Sequence, residues 1–315
     1  MQEILQKINT LVTKSVQNHE CDSIALSGGL DSSILASCVD RKTRAFALVA
    51  KDFPSTDLVH AQLVAKLYGL KLDVITADVN SLLSAVEDTI KILKVFNPIE
   101  IRNNIVVYLT MKTAKKHGFQ SIMTGDGADE LFAGYNFFKK MSPLELEKDL
   151  ERIWSVMHFP SKVISKSIGV LLHTPFLDDI VSEYAKKIAP EFKIREENGT
   201  KYGKWILRKA FENTLPKSIT WRDKFAMQDG SGTSGLTSFL DGIITDSVFA
   251  AKSRHYAEKE NVILSSKESL HYYEIYRKYF DVPSTLGISD FKCPNCNYSL
   301  KPGSHFCRMC GSFPI

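Results

Sequence analysis

A segment near residue 27 combines a glycine turn with a carboxylate, which is a pattern suited to phosphate binding. Residues 23–26 predict a short apolar strand, and Ser27, Gly28 and Gly29 predict a tight turn before a helix. N–H groups at a helix N-terminus bind anions, and small turn residues let the backbone approach a ligand. Asp31 places a carboxylate beside that anion, which is favourable when Mg²⁺ bridges the two. The Gly-Lys-Ser/Thr ending of the common P-loop is missing. A strand–turn–helix corner with an N-cap serine is the alternative interpretation.

A second glycine turn, at residues 124–135, carries three carboxylates within five residues. Asp126, Asp129 and Glu130 repel one another unless cations lie near them. Asp129 is therefore a candidate second Mg²⁺ ligand opposite Asp31. Asp126 is a candidate general base or amine-orienting group at a reacting centre. The alternative is a solvated acidic loop that caps the next helix.

Four of the six cysteines form two C-x-x-C pairs separated by ten residues near the end of the chain. These are Cys293, Cys296, Cys307 and Cys310. The spacing predicts a structural Zn²⁺ held by four thiolates, which leaves no open position for a substrate. Such a small unit would lose its fold without the metal. Cys21 and Cys38 lack metal spacing and are expected to be small buried apolar residues.

The composition is that of an ordinary globular protein of one large or two moderate domains. The chain has 315 residues, of which 44% are hydrophobic and 24% charged, and its formal charge of +4 neither demands nor excludes a nucleic-acid partner. No apolar run is long enough for a membrane span, and the first residues show no signal-peptide pattern. Paired cysteines of this kind favour a reducing compartment, so a cytoplasmic protein is expected.

Alternating strands and helices must position the two turns. Strands are predicted at residues 23–26, 44–50, 72–76 and 121–124, and helices at residues 3–18, 58–68, 82–96 and 103–117. This alternation predicts an α/β fold with a mostly parallel sheet flanked by helices. Both turns then lie beyond the carboxyl ends of strands, where such sheets bind ligands. The predicted organisation is a main domain at residues 1–280 with a helical C-terminal half, a linker at 281–290 and a zinc ribbon at 291–315.

The two turns together, S-G-G-L-D-S-S and G-D-G-A-D-E-L-F-A-G-Y, resemble the synthetase domain of the asparagine synthetases, which belong to the ATP pyrophosphatase (PP-loop) superfamily. Further similar segments are residues 97–102, the T-P-F-L-D motif at 174–178, and residues 204–211, 221–224 and 265–276. The resemblance covers roughly residues 20–281. It implies an adenine-nucleotide α-hydrolase-like fold and an AMP-forming ligase that uses ATP and Mg²⁺.

The resemblance also implies roles for individual residues. The pyrophosphate loop is matched by Ser27, Gly28, Gly29 and Ser32, and the adenosine-binding positions by Leu26, Leu48, Thr124 and Gly125. The Mg²⁺ carboxylates are matched by Asp31 and Asp129. The catalytic positions are matched by Lys224, which would stabilise charge on the separating phosphates, by Arg102 and by Asp126.

Three departures from the family pattern bear on the substrates. Asp126 stands where many asparagine-forming members have glutamate, and His173 stands where an arginine usually precedes the P-F-L-D motif. The phosphate turn lies within 30 residues of Met1, so a glutaminase domain of about 200 residues is not expected in this chain. Nitrogen is therefore expected from free ammonia, a separate glutaminase subunit or another amine.

Three functions remain open on the sequence. The first is a ligase that adenylates a carboxylate, by default aspartate, and transfers nitrogen to it. The second is a tRNA-modifying enzyme that adenylates a tRNA base, with the zinc ribbon docking RNA or a carrier protein. The third is a nucleotide-binding regulator without turnover. The presence of Asp31, Asp129 and Lys224 together favours an enzyme, because a scaffold has no need of all three.

Overall fold

The computed structural model of the protein describes residues 1–315 and contains sixteen α-helices, seven β-strands and three 3-10 helices. In chain order, the helices and strands are α1 (Gln2–Gln17), β1 (Ser23–Ala25), α2 (Leu30–Cys38), β2 (Arg44–Ala50), α3 (Asp57–Tyr68), β3 (Leu72–Ala77), α4 (Val79–Leu93), α5 (Pro98–Lys116), β4 (Ser121–Met123), α6 (Ala128–Leu131), α7 (Pro143–Val156), α8 (Pro160–Ile168), β5 (Leu171–His173), α9 (Asp179–Lys187), α10 (Pro190–Lys193), β6 (Arg195–Glu197), β7 (Thr200–Tyr202), α11 (Trp205–Ala210), α12 (Lys217–Thr220), α13 (Met227–Ser231), α14 (Gly235–Ile243), α15 (Asp246–Glu260) and α16 (Lys267–Arg277). None of the helices has the combination of length and apolar character that crossing a membrane requires.

The chain forms two compact units, each assembled from separate segments. The first unit comprises Met1–Leu48, Thr56–Ile75 and Thr110–Ala226. The second comprises Val49–Ser55, Thr76–Leu109 and Met227–Ile315. The predicted linker and ribbon both fall in the second unit, and their description as separate parts of the chain stays a prediction.

A five-stranded sheet with the order β3-β2-β1-β4-β5 organises the first unit. The pairs β1–β2, β1–β4 and β4–β5 are parallel, with Ile24 opposite Ala45 and Met123, and Met123 opposite His173. The α/β fold with a mostly parallel sheet is therefore confirmed. Because the strands are parallel, the turns that follow β1, β4 and β5 lie at the same edge.

The apolar stripe of α1 packs into the core of the first unit. Ile8, Val12 and Val16 are buried in the cluster that also contains Ile24 and Leu35. Burying one side chain of this size contributes about 1.5–3 kcal/mol to folding. The stripe predicted a helix at residues 3–18, and α1 spans Gln2–Gln17.

Helix starts differ from the expectation where a side chain caps the first turn. Helix α4 begins at Val79 because Asp78 accepts a hydrogen bond from the Ser81 N–H. Helix α5 begins at Pro98 because the Asn97 side-chain oxygen accepts hydrogen bonds from the next turn. Strand β5 was not predicted, since three residues carry too little periodicity.

The second unit contains an aromatic core. The ring of Phe96 lies 4.8 Å from that of Tyr273 and 5.5 Å from that of Tyr276, measured between centroids. Tyr256 packs edge-on against Tyr273. These contacts join the segment between α4 and α5 to α15 and α16 within this unit.

Candidate active site

The turn after β1 has the geometry of a phosphate-binding loop. Gly28 has a φ of +74°, and a Cβ at this position would lie 2.4 Å from the Ala61 nitrogen, so only glycine fits. The Ser27 hydroxyl accepts a hydrogen bond from the Gly29 N–H at 3.2 Å and lies 3.1 Å from the Ser32 hydroxyl. Helix α2 begins directly after Gly29, and no side chain caps its first turn. Its first N–H groups are therefore available to an anion.

The acidic turn after β4 lies against this loop. A Cβ on Gly125 would come within 2.9 Å of the Asp31 Cβ, so the two turns approach each other as closely as glycine allows. Gly127 has a φ of +92°, and a side chain there would meet Leu177 at 2.3 Å. The phosphate turn after β1 and the acidic turn after β4 are thus neighbours at the carboxyl edge of the sheet.

Two lysines and two aspartates form a charge cluster at this place. The Lys204 ammonium lies 2.6 Å from Asp31 Oδ2 and 2.6 Å from Asp129 Oδ1. Lys224 pairs with the same oxygen of Asp129. A Cβ on Gly134 would lie 1.9 Å from Asp129 Oδ1 and 2.1 Å from Lys204 Cε, so the cluster also requires glycine there.

The cluster shifts the protonation of its members in opposite directions. Burial alone would raise the pKa of Asp129, but the ammonium groups of Lys204 and Lys224 hold it well below its usual range. Burial would lower the pKa of Lys204, but the carboxylates of Asp129 and Asp31 raise it above the ordinary lysine value. Burial and the charge of Lys204 lower the pKa of Lys224, despite its pairing with Asp129. The cluster therefore keeps Asp129 ionised and Lys204 positively charged.

The donor set fits a divalent cation. Asp31 Oδ1 is buried and has no hydrogen-bond partner, so one carboxylate oxygen of the cluster is free to coordinate. Two carboxylates are the ligands with which proteins usually hold Mg²⁺ beside phosphates. The two carboxylates fit such a cation, and their binding of Mg²⁺ stays a prediction.

Asp126 is held by a serine of α8. Its Oδ2 atom accepts a hydrogen bond from the Ser161 hydroxyl. Burial raises the pKa of Asp126 even though this hydrogen bond and the nearby charge of Lys162 act to lower it. A carboxylate with a raised pKa is a better proton acceptor near neutral pH than an ordinary aspartate.

An aromatic ring supports Lys224. The ammonium lies 4.7 Å from the centroid of the Tyr135 ring, which is within the range of a cation–π interaction. The Tyr135 hydroxyl donates to Glu130 Oε1 at 2.5 Å and so fixes the ring. Glu130, the third carboxylate of the acidic turn, therefore orients the Tyr135 ring beside Lys224.

Three of the positions predicted to hold adenosine lie on β2 or directly after β1 and β4. Leu26 extends β1 through its N–H, which donates to the Phe46 carbonyl at 2.8 Å, and the Thr124 N–H donates to the His173 carbonyl at 3.0 Å. Leu48 is buried in β2. A role for these residues in binding adenosine stays a prediction.

His173 belongs to a hydrogen-bonded chain of side chains. Its Nδ1 atom lies 3.0 Å from His19 Nδ1, and His19 Nε2 lies 2.8 Å from Asp178 Oδ2. Burial and the neighbouring His19 lower the pKa of His173. The imidazole is therefore mainly neutral at pH 7 and does not replace the fixed charge of an arginine.

Arg102 lies in the second unit, on α5. Its Nη1 atom pairs with Glu268 and donates to the Thr237 hydroxyl at 2.9 Å, and its Nε atom donates to the Gln228 side chain at 3.0 Å. The side chain of Arg102 is 12% exposed and that of Glu268 is 2% exposed. The guanidinium is thus fixed by α5, α13, α14 and α16, and its catalytic role stays a prediction.

The four cysteines of the C-x-x-C pairs converge in the second unit. Their sulfur atoms all lie within 4.8 Å of one another. The distances Cys293–Cys310 and Cys296–Cys307 are both 3.7 Å between sulfurs. Sulfurs at about 2.3 Å from a tetrahedral metal lie about 3.8 Å apart. The predicted ligand set therefore has the geometry of a metal site.

Two residues of the first unit were missed from the sequence. In the sequence, Lys204 belongs to a segment that resembles the family, and Tyr135 ends the acidic turn, but neither position is predicted as a site residue. Lys204 contacts Asp31 across a separation of 173 residues. Its only local signal is its place directly before the buried helix α11, which gives no reason to predict a charge between two carboxylates.

Comparison with protein families gives one match over most of the chain. The model described as asparagine synthase matches residues 7–164 and 163–284. The match includes the phosphate turn, the acidic turn and Lys224, and ends before the four cysteines.

Curated relatives are similar over the same region. A probable glutamine-hydrolyzing asparagine synthetase from Dictyostelium discoideum is 32% identical over 292 residues, which cover 82% of this chain and 51% of the relative. Glutamine-hydrolyzing asparagine synthetase 2 from Oryza sativa subsp. japonica is 29% identical over 300 residues, which cover 87% of this chain and 50% of the relative. Asparagine synthetase B from Escherichia coli (strain K12) is 29% identical over 308 residues, with 90% and 54% covered. The chain spans about half the length of these relatives.

Similarity to solved structures is lower. The NMN synthetase from Francisella tularensis has a TM-score of 0.30 at 16% identity, with 62% of this chain and 98% of that chain covered. The NH3-dependent NAD synthetase from Campylobacter jejuni has a TM-score of 0.30 at 16% identity, with 74% and 95% covered. At these TM-scores no functional argument follows.

Proposed function

Because the chain belongs to the asparagine synthase family, we propose that it is an ATP-dependent ligase that converts a carboxylate into an amide and releases AMP and pyrophosphate. The observation that carries this proposal is the cluster of Asp31, Lys204, Asp129 and Lys224 beside the phosphate turn. Aspartate is the proposed carboxylate, and nitrogen would come from ammonia or from a glutaminase.

In the first half-reaction, a carboxylate oxygen of the substrate attacks the α-phosphorus of ATP. The bond to the β-phosphate oxygen breaks, which gives an acyl-adenylate and pyrophosphate. The N–H groups at the start of α2 would bind the pyrophosphate, and Lys224 and Lys204 would stabilise the charge that develops on it. Donors fixed in advance at such a place often supply the largest share of catalysis.

Asp31 and Asp129 would hold Mg²⁺, which neutralises phosphate charge when bound. The free Oδ1 atom of Asp31 supports this assignment. The Lys204 ammonium contacts one oxygen of each of the same carboxylates. Lys204 therefore holds the two aspartates together and helps to keep Asp129 ionised.

In the second half-reaction, the amine nitrogen attacks the acyl carbon and AMP leaves. The nitrogen loses a proton in this step, and Asp126 is the proposed acceptor. Its raised pKa and its hydrogen bond from Ser161 suit a carboxylate that must take up a proton near neutral pH. Aspartate is one methylene shorter than glutamate, so the amine would be held closer to the acidic turn.

We further propose that the four cysteines bind zinc. The all-thiolate set and its sulfur spacing suit zinc, and four protein ligands leave no position for catalysis. The metal would be structural.

Pyrophosphate release from ATP and Mg²⁺ tests the proposed function. The protein is assayed with aspartate and ammonium, with other small carboxylates, and with bulk tRNA. We expect release that requires a carboxylate and ammonium and that yields one amide per pyrophosphate. Lys224→Ala should lower turnover at least about 100-fold, as losing a fixed donor does. Asp31→Asn should cause a loss of similar size, because it removes a proposed Mg²⁺ ligand. Lys201→Met, at an exposed position of β7, is the matched control.

Two outcomes would contradict the proposal. Release that appears only with tRNA would support the tRNA-modifying alternative. Full turnover by Asp31→Asn or Lys224→Ala would show that the charge cluster is not the catalytic site.

A further inference from the structure

The end of the chain packs against the start of α5. The ribbon, residues 291–315, carries Arg308, whose Nη2 and Nε atoms donate to Glu100 at 2.6 and 2.9 Å in a two-pronged contact. The Phe96 N–H donates to the Met309 carbonyl at 2.9 Å. Two-pronged arginine–carboxylate contacts define orientation as well as distance. The segment around Cys307 and Cys310 is therefore attached to the first turn of α5.

A glycine of the ribbon makes this approach possible. Gly311 has a φ of +87°, and a Cβ there would lie 2.7 Å from Asn97 Oδ1. That oxygen accepts hydrogen bonds from the N–H groups of Ile99 and Glu100 at 3.1 and 3.4 Å and thereby caps α5. The ribbon thus lies directly against the cap that starts the helix.

The other cysteine pair packs against the segment before α16. The Ile263 N–H donates to the Asn295 carbonyl at 2.6 Å, and the Asn297 side chain donates to the Asn261 carbonyl at 2.7 Å. Soon after this segment, Ser266 caps α16 through hydrogen bonds with Ser269 in both directions. One cysteine pair therefore holds the approach to α5 and the other the approach to α16.

These two helices carry the buried ion pair of the second unit. Arg102 is on the second turn of α5, two residues after Glu100, and Glu268 is in the first turn of α16. Their side chains are 12% and 2% exposed, respectively, so neither has much water to compensate for a lost partner. The geometry of this pair depends on how the first turns of the two helices are placed.

We propose that the metal-bound ribbon is an internal clamp that positions Arg102. A metal held by all four thiolates joins the two cysteine pairs, and each pair holds the start of one of the two helices. Metal loss separates the pairs and releases both helix starts at once. Arg308, Asn295 and Asn297 of the ribbon make their contacts within the ribbon's own unit, so this role needs no RNA partner. The link to turnover rests on the proposed function, because only the family resemblance places Arg102 in catalysis.

Hydrogen–deuterium exchange of the full chain tests the clamp without relying on activity. Arg308→Ala is compared with the wild type and with Lys301→Ala, an exposed lysine of the same ribbon, and the metal content of each protein is measured. In Arg308→Ala with its metal retained, we expect amides of residues 98–104 to exchange about tenfold faster, the effect of losing one charge-assisted contact. Lys301→Ala should exchange like the wild type.

Removing the metal with a chelator under reducing conditions should speed exchange in residues 98–104 and 261–270 together. Residues 1–48 of the first unit should not change. Exchange that rises only within residues 291–315, in both the stripped protein and Arg308→Ala, would overturn the clamp.

Turnover then separates the clamp from the proposed function. If the ligase assignment is correct, Arg308→Ala should lower pyrophosphate release severalfold, and Arg308→Lys should recover part of it because it keeps the charge but not the two-pronged contact. If no carboxylate supports release in the wild type, the ligase assignment fails, while the exchange data still decide on the clamp. Unchanged turnover in Arg308→Ala, with faster exchange at residues 98–104, would overturn the positioning of Arg102 for catalysis.

Discussion

Replacing Lys204 by methionine should make the first unit depend on Mg²⁺ for its stability. The Lys204 ammonium lies 2.6 Å from a carboxylate oxygen of Asp31 and 2.6 Å from one of Asp129, and its side chain is 5% exposed. Methionine keeps most of the length and apolar stem but removes the charge. Asp129 would then keep only Lys224 as a partner, and Asp31 would lose its cation.

The size of the effect follows from the cost of leaving a buried charge without its partner. Such a change destabilises a protein by about 3–5 kcal/mol. For a folding unit of this size, each kcal/mol lowers the melting temperature by about 2–4 °C, so a decrease of about 6–20 °C is expected. Mg²⁺ should recover part of the loss, since a cation present at about 100 times its dissociation constant contributes about 2.7 kcal/mol.

Thermal unfolding followed by circular dichroism, with and without Mg²⁺, measures both effects. Lys201→Met is the matched control, because Lys201 is an exposed lysine of β7. The pH dependence has a definite sign. The pKa of Asp129 is held low in the folded protein, so its stabilisation is complete above the unfolded pKa of about 3.9 and is lost as pH falls through the folded value. The difference between wild type and Lys204→Met should therefore be largest near neutral pH and shrink toward pH 3.

Two results would refute this reasoning. One is a Lys204→Met protein that melts at the temperature of the wild type and of Lys201→Met. The other is an equal response of the variant and the wild type to Mg²⁺, which would mean that the cation does not take the place of the ammonium.

Three further predictions concern single side chains. Lys193 is fully buried, its ammonium lies 4.5 Å from the Trp154 ring centroid, and burial lowers its pKa to about 7. The free energy of unfolding should therefore rise between about pH 7 and pH 10. Lys193→Met should abolish this pH dependence in denaturant titrations and stabilise the protein at pH 7 by about 1–4 kcal/mol. Tyr135→Leu removes the ring beside Lys224 and should lower turnover about tenfold. Tyr135→Phe keeps the ring and should lower turnover less. Equal losses of turnover in steady-state kinetics would argue against the cation–π contact. Asp126→Asn should lower amide formation at least about 100-fold while ATP–pyrophosphate exchange continues, and a loss of exchange in step with amide formation would exclude a role limited to proton transfer.

The parallel sheet and the meeting of its two turns could be predicted from the sequence. Strand β2 has the predicted bounds Arg44–Ala50, because its apolar run is long and ends at polar residues. Once both turns follow parallel strands, Gly125 and Asp31 must be near each other, and the structure places them in contact. The spacing of the cysteines likewise predicted that four sulfurs would converge.

Contacts that single charged side chains make with distant residues could not be predicted. Lys204 reaches Asp31 across 173 residues, and Arg308 reaches Glu100 across 208 residues. The sequence around Lys204 and around Arg308 does not differ from the sequence around an exposed surface residue. The predicted start of α5, at residue 103, was also too late. The side chain of Asn97 caps this helix, and hydrophobic periodicity gives no signal for a capping oxygen.

The most direct test of the proposed ligase follows an oxygen atom from the carboxylate to AMP. Aspartate labelled with ¹⁸O in both carboxyl groups is turned over with ATP, Mg²⁺ and ammonium, and AMP is analysed by mass spectrometry. Formation of an acyl-adenylate predicts one ¹⁸O atom in each AMP for every amide made. Label in inorganic phosphate with release of ADP, or unlabelled AMP, would contradict the account.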